Sequence, residues 1–164
     1  MLMRMIKHLF FPRWRLKCSF PSRTLTAIEQ AVKKSESLHL GEIRFAVESA
    51  LEPGALWRNQ TARERAIEVF SQLHVWDTER DNGVLIYILL ADRDVEIVAD
   101  RGMACHVSNE QWQAICHTME QAFGAGDFEH GSVAGIEAVT KLLAQFFPAG
   151  GENVNELPDK PYVR

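Results

Sequence analysis

The run "GVLIYILL", residues 83–90, is apolar at every position after its glycine. At eight residues it is too short for a buried helix and far short of the roughly 20 residues that cross a bilayer. Val, Ile and Tyr favour extended backbone, and turn residues flank the run, so it reads as a central strand buried on both faces. After the short connector "ADRD", residues 95–99 read as another strand. So short a link holds no crossover, and the two strands are expected to form an antiparallel hairpin with Leu90 near Val95. Upstream, "EIRFAVES" (42–49) alternates Ile43, Phe45 and Val47 with Glu42, Arg44 and Glu48, which predicts a strand with one wetter face. A helical pattern from Thr61 to about Leu73 joins it to the apolar run, so strands 42–49 and 83–90 should lie parallel.

Helices account for the rest of the pattern. Residues 22–38 place Leu25, Ile28, Ala31 and Val32 on one side. Thr61 with Glu64 and Ser108 with Gln111 have capping-box spacing. Trp112, Ile115, Cys116, Met119 and Phe123 form a stripe on the helix that Ser108 opens, and "GAGD" ends it. A last helix spans about 128–147. Residues 50–60 read as a loop around Pro53-Gly54, and Asn82-Gly83 as a turn. The sum is an α/β fold, a three-layer α/β/α sandwich with a small mixed sheet (strands about 42–49, 83–90 and 95–99) flanked by helices. The domain spans residues 22–147, after a basic amphipathic leader (1–21) and before a Gly/Pro/polar tail (148–164) expected to be disordered.

Charge is split along the chain. Residues 1–25 carry six Lys/Arg and no acid, whereas the remainder carries 12 Lys/Arg against 22 Asp/Glu, about −10. An acidic body argues against nucleic-acid binding. The leader, with Arg4, Lys7, Phe10, Phe11, Arg13, Trp14, Arg15 and Lys17, suits either an anionic lipid surface or a partner protein near the membrane; a helix docked on the body is the plainer alternative. Its longest apolar run, "LFF", is too short for a signal peptide core. The expected location is therefore the cytoplasm, free or peripheral on the inner membrane. Cys18, Cys105 and Cys116 have no C-x-x-C spacing and read as reduced residues.

Four motifs in order carry a resemblance: Asn82-Gly83-Val84-Leu85-Ile86, Asp92-Arg93, Val95-Glu96-Ile97 with Gly102, and Gly126-Asp127-Phe128 with Gly131. Over roughly residues 24–147 the chain resembles the TPM domain family, which includes a thylakoid lumenal protein tied to photosystem repair and many bacterial envelope proteins. The resemblance implies an α/β/α sandwich. It also implies divalent cation binding, an accessory role beside membrane complexes or, in one member, acid-phosphatase activity. Ala104 stands where the family's turn carries an acid.

The residues themselves offer one candidate cation site. In the expected hairpin Asp81, Asn82 and Asp100 gather at one end of the sheet, and Asp127 could join from the start of the last helix. Carboxylates and an amide suit Ca²⁺ or Mg²⁺; solvated strand ends and a helix cap are the plainer reading. The Asp92-Arg93-Asp94 connector reads as a polar turn. No nucleophile elbow, P-loop or metal-binding histidine pair is present. The expected function is thus a non-catalytic accessory or interaction protein that binds a divalent cation weakly. The alternative is a metal-dependent, phosphatase-like hydrolase of phosphate monoesters.

Overall fold

A computed structural model describes residues 2–150 and 154–164. The elements follow as α1 (Leu2–Leu9), α2 (Arg13–Ser19), α3 (Ser22–Ser35), β1 (Glu42–Glu48), α4 (Pro53–Trp57), α5 (Ala62–Gln72), β2 (Gly83–Leu89), β3 (Asp94–Ala99), α6 (Arg101–Ala104), α7 (Asn109–Gly124), α8 (Phe128–Phe146) and β4 (Tyr162–Val163). The sheet order is β3-β2-β1-β4. β1 runs parallel to β2 and to β4, and β2 pairs antiparallel with β3. Both expected pairings hold.

Every residue of β1 and β2 is buried. Because strand side chains alternate, the sheet feeds two cores. Ile43, Phe45, Val47, Val84, Ile86 and Ile88 face α3, α7 and α8. Ala46, Leu85, Tyr87 and Leu89 meet Leu56, Ala66 and Val69 from α4 and α5 on the other side. The result is the three-layer α/β/α sandwich. Both capping boxes form, at Thr61–Glu64 and at Ser108–Gln111, each satisfying two backbone N–H groups that a helix start leaves open.

Several local expectations are corrected. Pro53 does not punctuate a loop but opens α4, since a proline at the first helical position loses no hydrogen bond. Asn82-Gly83 is no turn. Gly83 begins β2, and a Cβ there would run into the Val75 carbonyl oxygen, so glycine is needed for close approach. The hairpin register is shifted by two residues, with Ile88 opposite Val95 and Leu89 opposite Asp94. A two-residue slip keeps every side chain on its face.

The tail is the largest revision. Pro148 bridges to His39, Leu157 is 7% exposed in the second core, and Tyr162 and Val163 pair with Ala46 and Val47. Residues 154–164 are therefore part of the fold; 151–153 lie outside the described residues. The polar composition that suggested disorder is matched by charged groups on β1. Arg44 donates to the carbonyls of Pro158 and Lys160, and Glu42 accepts the backbone N–H groups of Glu156 and Leu157. The wetter face expected of β1 is thus dry.

β3 is an edge strand whose outward backbone groups are capped by side chains. Val95 N–H donates to Glu120 at 3.1 Å, and the Ile97 carbonyl accepts from Arg63. Such capping blunts an edge against pairing with other chains.

Candidate functional site

The sequence placed oxygen donors at the β2–β3 end, and three of the four residues meet there. The observed register puts Asp100 beside Gly83, whose carbonyl accepts the Asp100 N–H at 2.8 Å. Asp81 precedes β2 with φ +52°, and its exposed carboxylate stands 3.8 Å from the Arg101 guanidinium. The Asp81 carbonyl accepts the Gly102 N–H at 2.8 Å. A Cβ on Gly102 would fall 2.5 Å from that oxygen, so the α6 turn can only close this tightly on a glycine.

Asn82 is 1% exposed. Its Nδ2 donates to the Leu40 carbonyl at 2.8 Å, which fixes its orientation. Asp100 is the N-cap of α6, with Oδ1 accepting the Arg101 N–H at 2.7 Å. That leaves Asn82 Oδ1 and Asp100 Oδ2 buried without a hydrogen-bond partner. Buried oxygens without a donor are costly and rare.

Asp127 is not at this end. It caps α8, accepting the His130 N–H. The far end of α8 lies at Leu40, whose N–H bonds the Phe147 carbonyl at 2.9 Å. A 19-residue helix is about 28 Å long at a rise of ~1.5 Å per residue, so Asp127 sits a helix length from Asn82. Among the described residues no three His, Cys, Asp or Glu side chains converge to hold a metal ion. The donors present are two carboxylates, one amide and nearby carbonyls, which is hard-cation chemistry of low ligand count.

The opposite end of the hairpin holds a relationship that the sequence did not suggest. Asp92 accepts the Arg4 guanidinium through Nη2 at 2.7 Å and Nε at 3.1 Å, and lies 2.8 Å from His8 Nε2. The Leu51 N–H donates to His8 Nδ1 at 3.0 Å, so the ring proton belongs on Nε2, directed at Asp92. Burial would raise the Asp92 carboxyl, but the bonds from Arg4 and His8 outweigh it and hold the group below the usual carboxylate range.

This clamp turns α1 inside out. His8 is the buried residue of the helix, and Met5 packs on the second core. Leu2, Met3, Ile6 and Leu9 point to solvent, and Phe10 and Trp14 follow at 75% and 61% exposure. Lys7, Arg13, Arg15 and Lys17 are exposed around them. Two expected contact residues turn inward instead: Arg4 to Asp92, and Phe11 to the first core, where Arg15 lies over its ring.

A third polar centre lies where β1 and β2 end. Glu48 is buried and accepts Arg65 at 2.6 and 2.9 Å and the Tyr87 hydroxyl at 2.8 Å. The Glu48 hydrogen bonds push the Arg65 guanidinium up, while burial and the Glu48 charge push the Tyr87 phenol up. Beside them a cleft of about 130 Å³ is lined by Glu48, Glu52, Arg58, Arg65 and Arg164. Its charges are largely spent on one another, since Arg164 pairs with Glu52 and Arg65 also bonds Glu68. An arginine on the inward stripe of Ala62, Ala66 and Val69, with a tyrosine inside an otherwise aliphatic strand, was the signal for this network.

Comparison with known proteins follows the same outline. The TPM domain family model matches residues 20–142. The solution structure of the BA42 protein from the psychrophilic bacterium Bizionia argentinensis superposes with a TM-score of 0.76 at 31% identity, covering 87% of this chain and 94% of that one. The N-terminal domain of a P. gingivalis protein shares the fold, with a TM-score of 0.60 at 17% identity over 75% of this chain and 76% of that one. Among curated proteins none matches the chain.

Proposed function

The chain belongs to the TPM domain family, and from that premise we propose that it is a non-catalytic accessory protein that docks on an anionic membrane surface through the outer face of α1 and α2, and meets a protein partner there. The clamp of Arg4 and His8 on Asp92 carries this reading. It fixes the helix by its polar side and leaves a contiguous set of apolar side chains outward, which costs solubility unless something covers them. Lys7, Arg13, Arg15 and Lys17 are exposed on the same two helices. Each cation near an anionic leaflet contributes about 1 kcal/mol, and inserted Leu, Phe and Trp side chains add apolar burial. The body, near −10, is repelled by the same surface and so orients the molecule leader-first.

Vesicle sedimentation tests this. The full chain should pellet with phosphatidylglycerol-containing vesicles and not with pure phosphatidylcholine, and Phe10→Glu with Leu9→Glu should abolish pelleting. Both side chains are exposed, so the fold tolerates the change. Pelleting that ignores lipid charge and these two substitutions would reject the proposal.

A second reading is a weak Ca²⁺ or Mg²⁺ site at Asp81, Asn82 and Asp100, supported by the unpartnered Asn82 Oδ1 and Asp100 Oδ2. Titration of either cation followed by amide NMR should shift Asn82, Asp100 and Gly102, and Asp100→Asn should remove the shifts. No response at millimolar cation would end it. Phosphate-monoester turnover that disappears in an Asp81→Ala, Asp100→Ala variant would instead favour the hydrolase alternative.

A further inference from the structure

The segments that follow β1 and β2 leave the sheet side by side. The Leu90 and Ala91 N–H groups donate to the Glu48 and Ser49 carbonyls at 3.0 Å each, so both segments share the carboxyl end of the parallel pair. His8 bonds both, through the Leu51 N–H and through Asp92, and α1 also packs against α4. Two pieces of the body therefore border α1, the β2–β3 turn and α4.

Each piece leaves one large side chain to solvent. Arg93 follows Asp92 and closes the turn with φ +59°, its N–H donating to the Leu90 carbonyl at 3.1 Å. Glycine or asparagine ordinarily fills a left-handed hairpin position, because a Cβ is crowded there. Arginine carries that strain, yet its side chain is exposed and forms no ion pair among the described residues. On α4, Leu56 is buried while Trp57 is 77% exposed. Tryptophan joins a broad apolar ring to an N–H donor, which suits the boundary between headgroups and acyl chains.

Charge distinguishes the two ends of the sheet. At the carboxyl end α1 holds no acid, and Lys7 and Arg93 are exposed. The acids beside them are answered: Asp92 by Arg4 and His8, and Glu52 by Arg164. Asp94 and Glu120 sit half-buried at the β3 edge, where Glu120 accepts the Val95 N–H. At the amino end the connection into β2 exposes Asp77, Glu79 and Asp81 against Arg80. An anionic leaflet attracts the first end and repels the second.

We infer that the carboxyl end of β1 and β2 is the membrane-facing pole of the molecule, where Arg93 binds headgroup phosphates and Trp57 enters the interface beside α1. The inference rests on the lipid docking proposed above and adds contacts made by the body itself. The clamp on Asp92 gives them a fixed orientation, because it holds α1 rigidly against the turn that carries Arg93. A leader that served only as a tether would leave Arg93 and Trp57 in water.

Binding to phosphatidylglycerol vesicles separates the two cases. Arg93→Asn suits the left-handed turn and should weaken binding about fivefold, the loss of one cation at an anionic leaflet. Lys141→Gln removes a cation from the last turns of α8, which end at the opposite pole where the Phe147 carbonyl meets Leu40, and should leave binding unchanged. In a Trp14→Phe chain, brominated phosphatidylglycerol should quench the fluorescence of Trp57, and adding Trp57→Phe should remove that quenching, since Trp112 is buried and Trp76 precedes β2 at the far pole. Unaltered affinity in Arg93→Asn overturns the inference. So does an equal loss in Lys141→Gln, or quenching that survives Trp57→Phe. Each of these results leaves docking by the leader standing, whereas failure of the unaltered chain to bind removes both.

Discussion

His8 Nε2 lies 2.8 Å from Asp92 Oδ1 while its Nδ1 accepts the Leu51 N–H, so one ring ties the leader helix to both the β2–β3 turn and the segment after β1. Replacing Asp92 with Ala leaves the buried His8 donor unanswered and frees Arg4. The expected cost is about 1–3 kcal/mol in urea denaturation, with residues 2–19 becoming protease-sensitive. Because the Asp92 carboxyl is held low, its contribution is present above the ordinary carboxylate range. It should fade as pH falls below about 4, in the unaltered chain only.

The Glu48 network separates two kinds of loss. Tyr87→Phe removes one of three bonds to a carboxylate that keeps its arginine, and should cost about 1 kcal/mol. Arg65→Met strands a buried charge, and should cost roughly 3–5 kcal/mol. Thermal denaturation of the two variants side by side checks the order, and equal losses would mean that the ion pair is not the main term.

Two glycine substitutions should differ in sign. Gly83→Ala drives a methyl group into the Val75 carbonyl and should destabilise by about 1–3 kcal/mol. Gly124, the last residue of α7, has open space around its Cβ position, and Gly124→Ala should stabilise by up to about 1 kcal/mol. Chemical denaturation midpoints decide both.

Asp94 opens β3 among Glu96, Glu120 and Asp92, and burial followed by those charges raises its carboxyl to about 6. A raised carboxyl penalises the folded state once it is ionised, so the penalty is absent near pH 4 and complete above about 7. With the group half-buried, Asp94→Asn should stabilise by about 1 kcal/mol at pH 8 and by nothing measurable near pH 4. Denaturation at the two pH values reads the difference, and an equal gain at both would point to a cause other than charge.

Much of the fold was legible because its signals are local. The apolar run at 83–90, the alternation at 42–49, two capping boxes and a connector too short for a crossover each constrain backbone within a few residues. The acidic end was legible in part. Hairpin pairing alone brings Asp100 to Asn82, but whether Asp127 joins them depends on the direction in which α8 packs. The Asp92 clamp was invisible for the same reason, since its partners lie 84 and 88 residues away and nothing local separates a turn aspartate from an anchoring one.

The amino-acid order by itself determined the longer helices, the three main strands, the parallel β1–β2 and antiparallel β2–β3 pairings and the split between basic leader and acidic body, because period, capping and charge are written residue by residue. Only the tertiary structure decided what happens to the polar face of β1. Glu42, Arg44 and Glu48 read as the wetter face of the strand, yet they are buried because Arg65, Tyr87 and the backbone of residues 156–160 answer each charge. Burying a charge costs several kcal/mol unless partners meet it, and those partners come together only once the chain has folded.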